Sequence, residues 1–333
     1  NYNMILKIKN NLREYEVALE GVNQWCGENI IKKNNIINML CKYFSKSKYM
    51  EYDEIASDIF LENEVVGRNY YNVYLVQSRE QMISELKLGK NTLMMKYVLD
   101  KISINFDVSI ELEQVKDILI KIYEILNATA FNEFQNIKLD FENSKLLEII
   151  QQSIITYKDG KDIHYLSNYE LVLNYLKLVK GIEMNSGGQA LVIMNNIDHL
   201  LYDGEYKKIY LEAEKMYATH NIGFVFGISI DGYCVVNKNN INSITIINDQ
   251  EIILPEYDKI VEFIENNYPI NVNVTEDWIL SNIKMCIQKI GKENSSIELS
   301  SEIILTMINK TLLINSNRRF KTNSIELNFI NNN

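Results

Sequence analysis

The chain has 333 residues, with 34 basic and 44 acidic side chains and a formal net charge of −10. Its 47% apolar and 23% charged content is a globular balance, which excludes a disordered or fibrous protein, and the acidic sign excludes a uniformly basic nucleic-acid coat. In chain order, Met4 to Lys9 and Tyr15 to Leu19 read as two short strands, joined as a hairpin through polar Asn10, Asn11 and Arg13. A turn from Gly21 to Gly27 leads into a helix over about Ile30 to Phe44, whose apolar residues recur on one helical face. Asn72 to Val76 reads as another strand. Ser78 then opens a run of helical periodicity to about Phe134, broken near Gly89 and near Asn105. Within it, Val108 to Asn127 is a strongly amphipathic helix.

Strand character returns at Ile137 to Phe141, and Ser144 to Gln152 reads as a helix. Lys158 to Lys161 is a surface turn, and Asn168 to Lys180 a further helix. Ala190 to Met194 and Ile222 to Ile228 are apolar runs suited to buried strands, with a helix over about Glu205 to Thr219 between them. Strand, helix, strand at this spacing is a βαβ unit of a parallel sheet. Ser243 to Ile247 and Glu251 to Leu254 are short strands; after Pro255 the chain is helical to about Leu313. The last twenty residues are rich in asparagine and are expected to be poorly ordered.

The four cysteines (Cys26, Cys41, Cys234, Cys286) lack any CxxC pairing and read as reduced thiols of a cytoplasmic protein. The histidines form no HxH or HExxH pattern, so no zinc site is expected. No apolar run reaches the ~18 residues of a membrane span.

A strand, a glycine turn and a helix near the N-terminus, with a buried strand later, is the layout of a P-loop ATPase. The chemistry does not follow. The phosphate loop needs GxxxxGK[ST], so that backbone amides, a lysine and a hydroxyl converge on phosphate and Mg²⁺. Here five residues separate Gly21 from Gly27, and Glu28 and Asn29 stand where Lys and Ser/Thr belong. After Leu191 to Met194, Asn195 and Asn196 replace the acids that would hold metal and polarise water; amides are poor bases. Gly21, Gly27, Asn195 and Asn196 therefore read as a degenerate nucleotide site, and no catalysis is expected. Asp198 beside His199 is a candidate dyad, set against an ordinary satisfied histidine. Trp25 either stacks on a base or plugs the lost pocket.

The run Ile137-Lys-Leu-Asp-Phe-Glu-Asn-Ser-Lys-Leu-Leu-Glu-Ile-Ile-Gln-Gln-Ser153 resembles the acidic segment of the CRISPR-associated Csn-two family, the spacer-acquisition proteins of type II-A systems. The resemblance continues through Tyr169 to Lys180, Ala190 to Asn196 and Gly223 to Gly227, in order over about half the chain. The length beyond Pro255 is similar to a long subfamily with a C-terminal helical extension. The resemblance implies an α/β fold: a degenerate P-loop-ATPase-like head with a parallel sheet, an inserted helical leg domain and that extension. On this reading residues 1–77 and 135–254 form the head, 78–134 the leg, and 255–333 the extension with its tail. It also implies a homotetrameric ring that binds calcium and double-stranded DNA ends, working with the CRISPR integrase (Cas-one and Cas-two) and the Cas-nine effector.

Two groups of side chains carry that implication. Glu133, Asp140, Glu142 and Glu148 lie in or beside the segment similar to the family's calcium-binding region. Calcium takes six to eight oxygens from carboxylates and carbonyls, which a crowded acidic connection offers. The alternative is a solvated acidic face, and Asn136 and Lys138 stand where the family has acids. Lys87, Lys90, Lys96 and Lys101 recur through the first half of the helical insertion, and ring symmetry would multiply them into a lining that meets phosphates. With no base-reading helix or aromatic stacking motif, readout of backbone and shape is expected. Each lysine alone equally fits a solvated helix face, and Lys42, Lys46 and Lys48 form a second basic group. The expected function is non-catalytic, sequence-independent duplex binding in spacer acquisition. A P-loop nucleotide-binding ATPase and a protein-only scaffold are the alternatives.

Overall fold

The computed structural model describes residues 4–45, 54–131, 136, 138–140, 145–156, 158–230, 232–268, 275–292 and 299–314. Residues Lys46, Lys48, Glu133 and Glu142, and the tail from 315 on, lie outside them. The described residues form a mixed α/β fold of ten strands and ten α-helices. They divide into two units, one gathering the residues up to Leu75 with those from Gln189 on, the other running Val76–Gly188.

The first unit begins with β1 (Ile5–Lys9) and β2 (Glu14–Ala18), paired antiparallel with Ile5 opposite Ala18. The hairpin turns where Asn10 Oδ1 accepts from the amides of Leu12 and Arg13, at 3.0 and 2.7 Å. Next come β3 (Val22–Cys26) and α1 (Ile30–Ser45), followed by β4 (Asp58–Leu61), β5 (Glu64–Val65) and β6 (Tyr71–Val76). The order β2-β1-β4-β5 makes a small antiparallel sheet.

The second unit is helical. It holds α2 (Arg79–Leu86), α3 (Leu93–Ile104), α4 (Phe106–Thr129), α5 (Lys145–Gln151) and α6 (Asn168–Glu183). Its breaks are written in side chains that cap exposed helical amides. Ser78 accepts from Gln81 N, Thr92 from Met95 N and Asn105 from Val108 N, at 3.1, 3.3 and 3.3 Å. Ser167 and Glu170 form a reciprocal capping box at the start of α6. Arg79 ties this helix entry to α2: its guanidinium donates to the carbonyls of His164 and Leu166 and to Asn168 Oδ1, at 2.6, 2.7 and 2.7 Å. The unit thus runs beyond the 78–134 insertion read from the sequence and takes in α6, which packs on α2 and α3.

The chain returns to the first unit with β7 (Gln189–Asn195), α7 (Asp203–His220), β8 (Gly223–Gly227), β9 (Ile244–Ile247) and β10 (Glu251–Ile253). A six-stranded sheet has the order β10-β9-β3-β8-β7-β6. Strand β3 is parallel to both β8 and β9, β7 is parallel to β8, and β10 closes the edge antiparallel to β9. The β7-α7-β8 unit read from the sequence is present. One face of the sheet shares a core with α1 and the small sheet, through residues such as Trp25, Ile36, Leu40, Ile193 and Val225. On α7, Tyr206 and Tyr210 pack against Phe226 at ring distances of 5.6 and 5.7 Å. Helices α8 (Tyr257–Asn267), α9 (Glu276–Cys286) and α10 (Leu299–Thr311) pack on one another through buried isoleucines including Ile260, Ile283 and Ile308.

Two readings are corrected. The residues between Gly21 and Gly27 are not a turn: Val22–Cys26 is β3, fully buried in the middle of the parallel sheet. Its polar members are satisfied inside, since Asn23 Nδ2 donates to the Phe224 carbonyl at 3.1 Å and Gln24 exchanges two hydrogen bonds with Val235, at 2.6 and 2.8 Å. No strand occupies Lys138 to Asp140, the described part of the expected Ile137–Phe141 strand. There the Asn127 amide takes both hydrogen bonds of Leu139, at 2.6 and 2.7 Å, in place of a strand neighbour.

Candidate functional site

In open α/β sheets, ligands bind beyond the carboxyl ends of the strands where the strand order reverses. From β3 the chain goes to β6, β7 and β8 on one side, then crosses to β9 on the other, so the reversal falls at the carboxyl end of β3. Gly27, Asn195 and Asn196 lie at the carboxyl ends of β3 and β7, on the same side of the sheet. Gly21 does not join them: it precedes β3 at the other end.

Gly27 has φ +112°, and a Cβ there would overlap the Ile247 carbonyl, so only glycine fits the exit from β3. In a phosphate loop the next amides point at an anion. Here they are used inside the protein. Glu28 N donates to Asn248 Oδ1 at 2.8 Å, and Asn29 N to the Ile247 carbonyl at 3.3 Å. Asn29 Oδ1 caps α1 by accepting from Lys32 N at 3.1 Å. Asn248 is the keystone, because its amide group also donates to the carbonyls of Gln288 and Ile290, at 3.0 and 2.7 Å. The C-terminal helices are thereby fastened to the loop after β3. Two ion pairs add to the closure: Glu28 with Lys292, and Lys32 with Glu251.

Lys33 fills the centre of the crevice. It is 0% exposed, and its ammonium donates to the Ile228 carbonyl and to Asn196 Oδ1, the latter at 3.3 Å. Burial pushes its pKa below the ordinary lysine value, against the pull of nearby Cys26 and Asp198. Asn196 holds its position with a left-handed φ of 59° and a hydrogen bond from its backbone N–H to the Gly227 carbonyl at 2.8 Å. Asn195 Nδ2 donates to Asn34 at 3.0 Å. Lys33, Asn34, Asn195 and Asn196 are thus engaged with one another and with strand-end carbonyls, while Asn195 Oδ1 is buried without a partner among the described residues.

The other sequence candidates are distributed as follows. Asp198 is buried and accepts from Ser229 N and Oγ at 3.1 and 2.7 Å, while His199 is exposed, so the two form no dyad. Trp25 is buried within β3 and donates to the Ala18 carbonyl at 3.1 Å; it neither lines a binding surface nor plugs the crevice. Lys87, Lys90 and Lys96 are exposed on α2's end, the following loop and α3. Lys87 Nζ lies 3.5 Å from His164 Nε2. Lys101 is half-buried with its Nζ 5.3 Å from the Tyr97 ring centroid, and α-helical geometry sets it about 140° around α3 from Lys96. Asp140 is exposed and pairs with Lys138 at 3.0 Å; Glu148 is exposed on the first turn of α5. Among the described residues no three His, Cys, Asp or Glu side chains gather for a metal; Glu133 and Glu142 lie outside those residues.

Sequence reasoning missed Lys33, Asn248 and Lys292. Lys33 sits in a helix with lysines and asparagines around it and reads as solvated. Asn248 and Lys292 act on a loop more than 200 residues earlier, which no local pattern reveals.

The fold is that of a mixed α/β protein in which Lys33 and Asn196 occupy the carboxyl end of the sheet, beside an open hollow of about 430 Å³ lined by Glu28, Asn29, Asn248 and Lys292. No family model and no curated protein matches the sequence. Among solved structures, the chain is similar to the crystal structure of Stu0660 of Streptococcus thermophilus, with a TM-score of 0.84, 18% identity, and coverage of 98% of this chain and 99% of that one. The two share a fold along their whole lengths. No helix among the described residues is long and apolar enough to cross a membrane.

Proposed function

We propose that the protein is a non-enzymatic, sequence-independent binder of double-stranded DNA ends that assists CRISPR spacer acquisition as a member of the Csn-two family. The observation that carries the non-enzymatic half is the crevice: the amides after Gly27 are spent on Asn248 and Ile247, Glu28 stands at its mouth, and Lys33 occupies its centre. A nucleoside triphosphate would have to break that network and displace a buried cation. The DNA half rests on the family resemblance, whose segments run in order through α5, α6, β7 and β8 of a fold shared end to end with a bacterial protein. On this reading the head is a P-loop-ATPase-like scaffold without its chemistry, the chain assembles as a ring homotetramer, and the integrase and Cas-nine effector are its partners.

The contacts to DNA would be made by exposed ammoniums, of which Lys87, Lys90 and Lys96 are the candidates. Each phosphate neutralised contributes a slope of about −0.9 in log Kobs against log salt. The test measures duplex binding across NaCl concentrations for wild type and the Lys87→Ala/Lys90→Ala/Lys96→Ala variant. A steep slope that flattens in the variant, with linear duplex preferred over circular, supports the reading. A slope near zero, or a slope the variant leaves unchanged, removes these lysines from the interface. Calcium belongs to the same proposal and rests on the resemblance of residues 137–153 alone. Calorimetric Ca²⁺ titration of wild type and Asp140→Ala tests it; equal, negligible heats remove it.

A further inference from the structure

The helical unit contains a cavity of about 470 Å³, inside the ~300–1,000 Å³ range of small-molecule sites. Leu86 of α2, Met94 and Tyr97 of α3, Leu178 of α6 and nearby Ile163 supply its apolar walls. Tyr97 is held by a missing side chain: at Gly181 on α6 a Cβ would come within 2.5 Å of the ring, so glycine lets the ring lie directly on the helix backbone. Lys101 adds a positive charge beside the same ring.

Two exposed cations, Lys158 and Lys177, belong to its lining, and neither meets an acidic partner among the described residues. The one lining carboxylate, Glu170, is engaged in the capping box, where it accepts from Ser167 N at 2.8 Å. Asn174, also in the lining, donates to the Glu170 carbonyl at 2.9 Å. Free ammoniums around an apolar hollow select a ligand with the opposite distribution, a charged head on an apolar body. Duplex DNA, whose outer surface is phosphate and sugar, has no apolar segment to fill such a space.

We propose that this cavity binds one small anionic amphiphile, a carboxylate or sulfonate carried on an acyl or aryl body. Lys158 and Lys177 meet the anion, while Met94, Tyr97 and Leu178 enclose the body. A concave site of this volume takes a single free molecule, not a bilayer surface. The site is independent of the DNA reading and stands or falls separately from it.

The test titrates sodium decanoate, below its micelle-forming concentration, into the full chain by calorimetry. Decanol and phosphatidylglycerol vesicles serve as parallel probes, and circular dichroism checks the fold of every variant. The expected result is saturable one-site binding of decanoate, weaker binding of decanol, and none to vesicles. Lys158→Ala and Lys177→Ala should each weaken decanoate binding roughly two- to fivefold. Met94→Trp, which fills the cavity, should abolish it, and Ile118→Asp on the exposed side of α4 should leave it unchanged. The proposal is overturned if the folded wild type shows no saturable binding, or if the double lysine variant binds as wild type does. Binding lost with Ile118→Asp, or seen only with vesicles, overturns it equally.

Discussion

The carboxyl end of the central sheet and the long helix α4 are opposites. At the sheet end most groups are engaged inside the protein: Lys33 is fully buried, the Asn248 side chain makes three hydrogen bonds, and Glu28 is paired, while Asn195 Oδ1 is buried without a partner among the described residues. Along α4 none of the 24 residues is buried, and Ile118 and Ile125 remain 56% and 62% exposed. At the place where α/β proteins usually bind small ligands, Lys33 and the amides after Gly27 are engaged inside the protein, whereas α4 presents apolar surface.

That contrast can be broken in order of effect. Gly27→Ala should cost the most, about 3 kcal/mol or a failure to fold, because it adds a Cβ into the Ile247 carbonyl at φ +112°. Urea denaturation measures it; a near-neutral change would mean that the loop after β3 is not locked. Asn248→Ala should follow at about 2–3 kcal/mol, since it strands the part-buried Glu28 N and the carbonyls of Gln288 and Ile290 in the segment after α9. Limited proteolysis of that variant should cut first within the C-terminal helices.

Lys33→Met should change stability at neutral pH by only about 1 kcal/mol, because losing a buried charge offsets losing its hydrogen bonds. The pH dependence is sharper. The folded-state pKa of Lys33 lies below its unfolded value, so between the two the unfolded chain binds more protons and wild-type stability gains as pH rises. The difference between wild type and Lys33→Met should therefore move in favour of wild type as pH climbs toward 10.5, the ordinary value. A difference that stays flat with pH would mean that Lys33 is not held in a dry site. The smallest effect belongs to α4: Ile118→Ser with Ile125→Ser should shift the stability of the isolated chain by less than about 0.5 kcal/mol. A larger loss would show that this face is covered.

The sequence was most legible where structure is local. Ser78 caps the helix it reads as opening, the helical run breaks at Asn105 as expected, and the β7-α7-β8 unit stands out as two apolar runs flanking a helix. Strand β3 was not legible, since Asn23 and Gln24 are polar residues at buried positions, satisfied by partners about 200 residues away. Lys33 escaped for the same reason: its acceptors, Asn196 and Ile228, come from the ends of distant strands. The sequence does show that Glu28 and Asn195–Asn196 stand where a phosphate loop and its metal site need other residues. It misjudged the layout, because Gly21 and Gly27 bracket a strand and not a loop.

The most direct measurement is calorimetric titration of ATP with Mg²⁺ into the full chain, repeated with Lys33→Met. A filled crevice predicts no saturable heat in either protein. Saturable binding to wild type that disappears with Lys33→Met would contradict it, and would make Lys33 a nucleotide ligand in a site that opens.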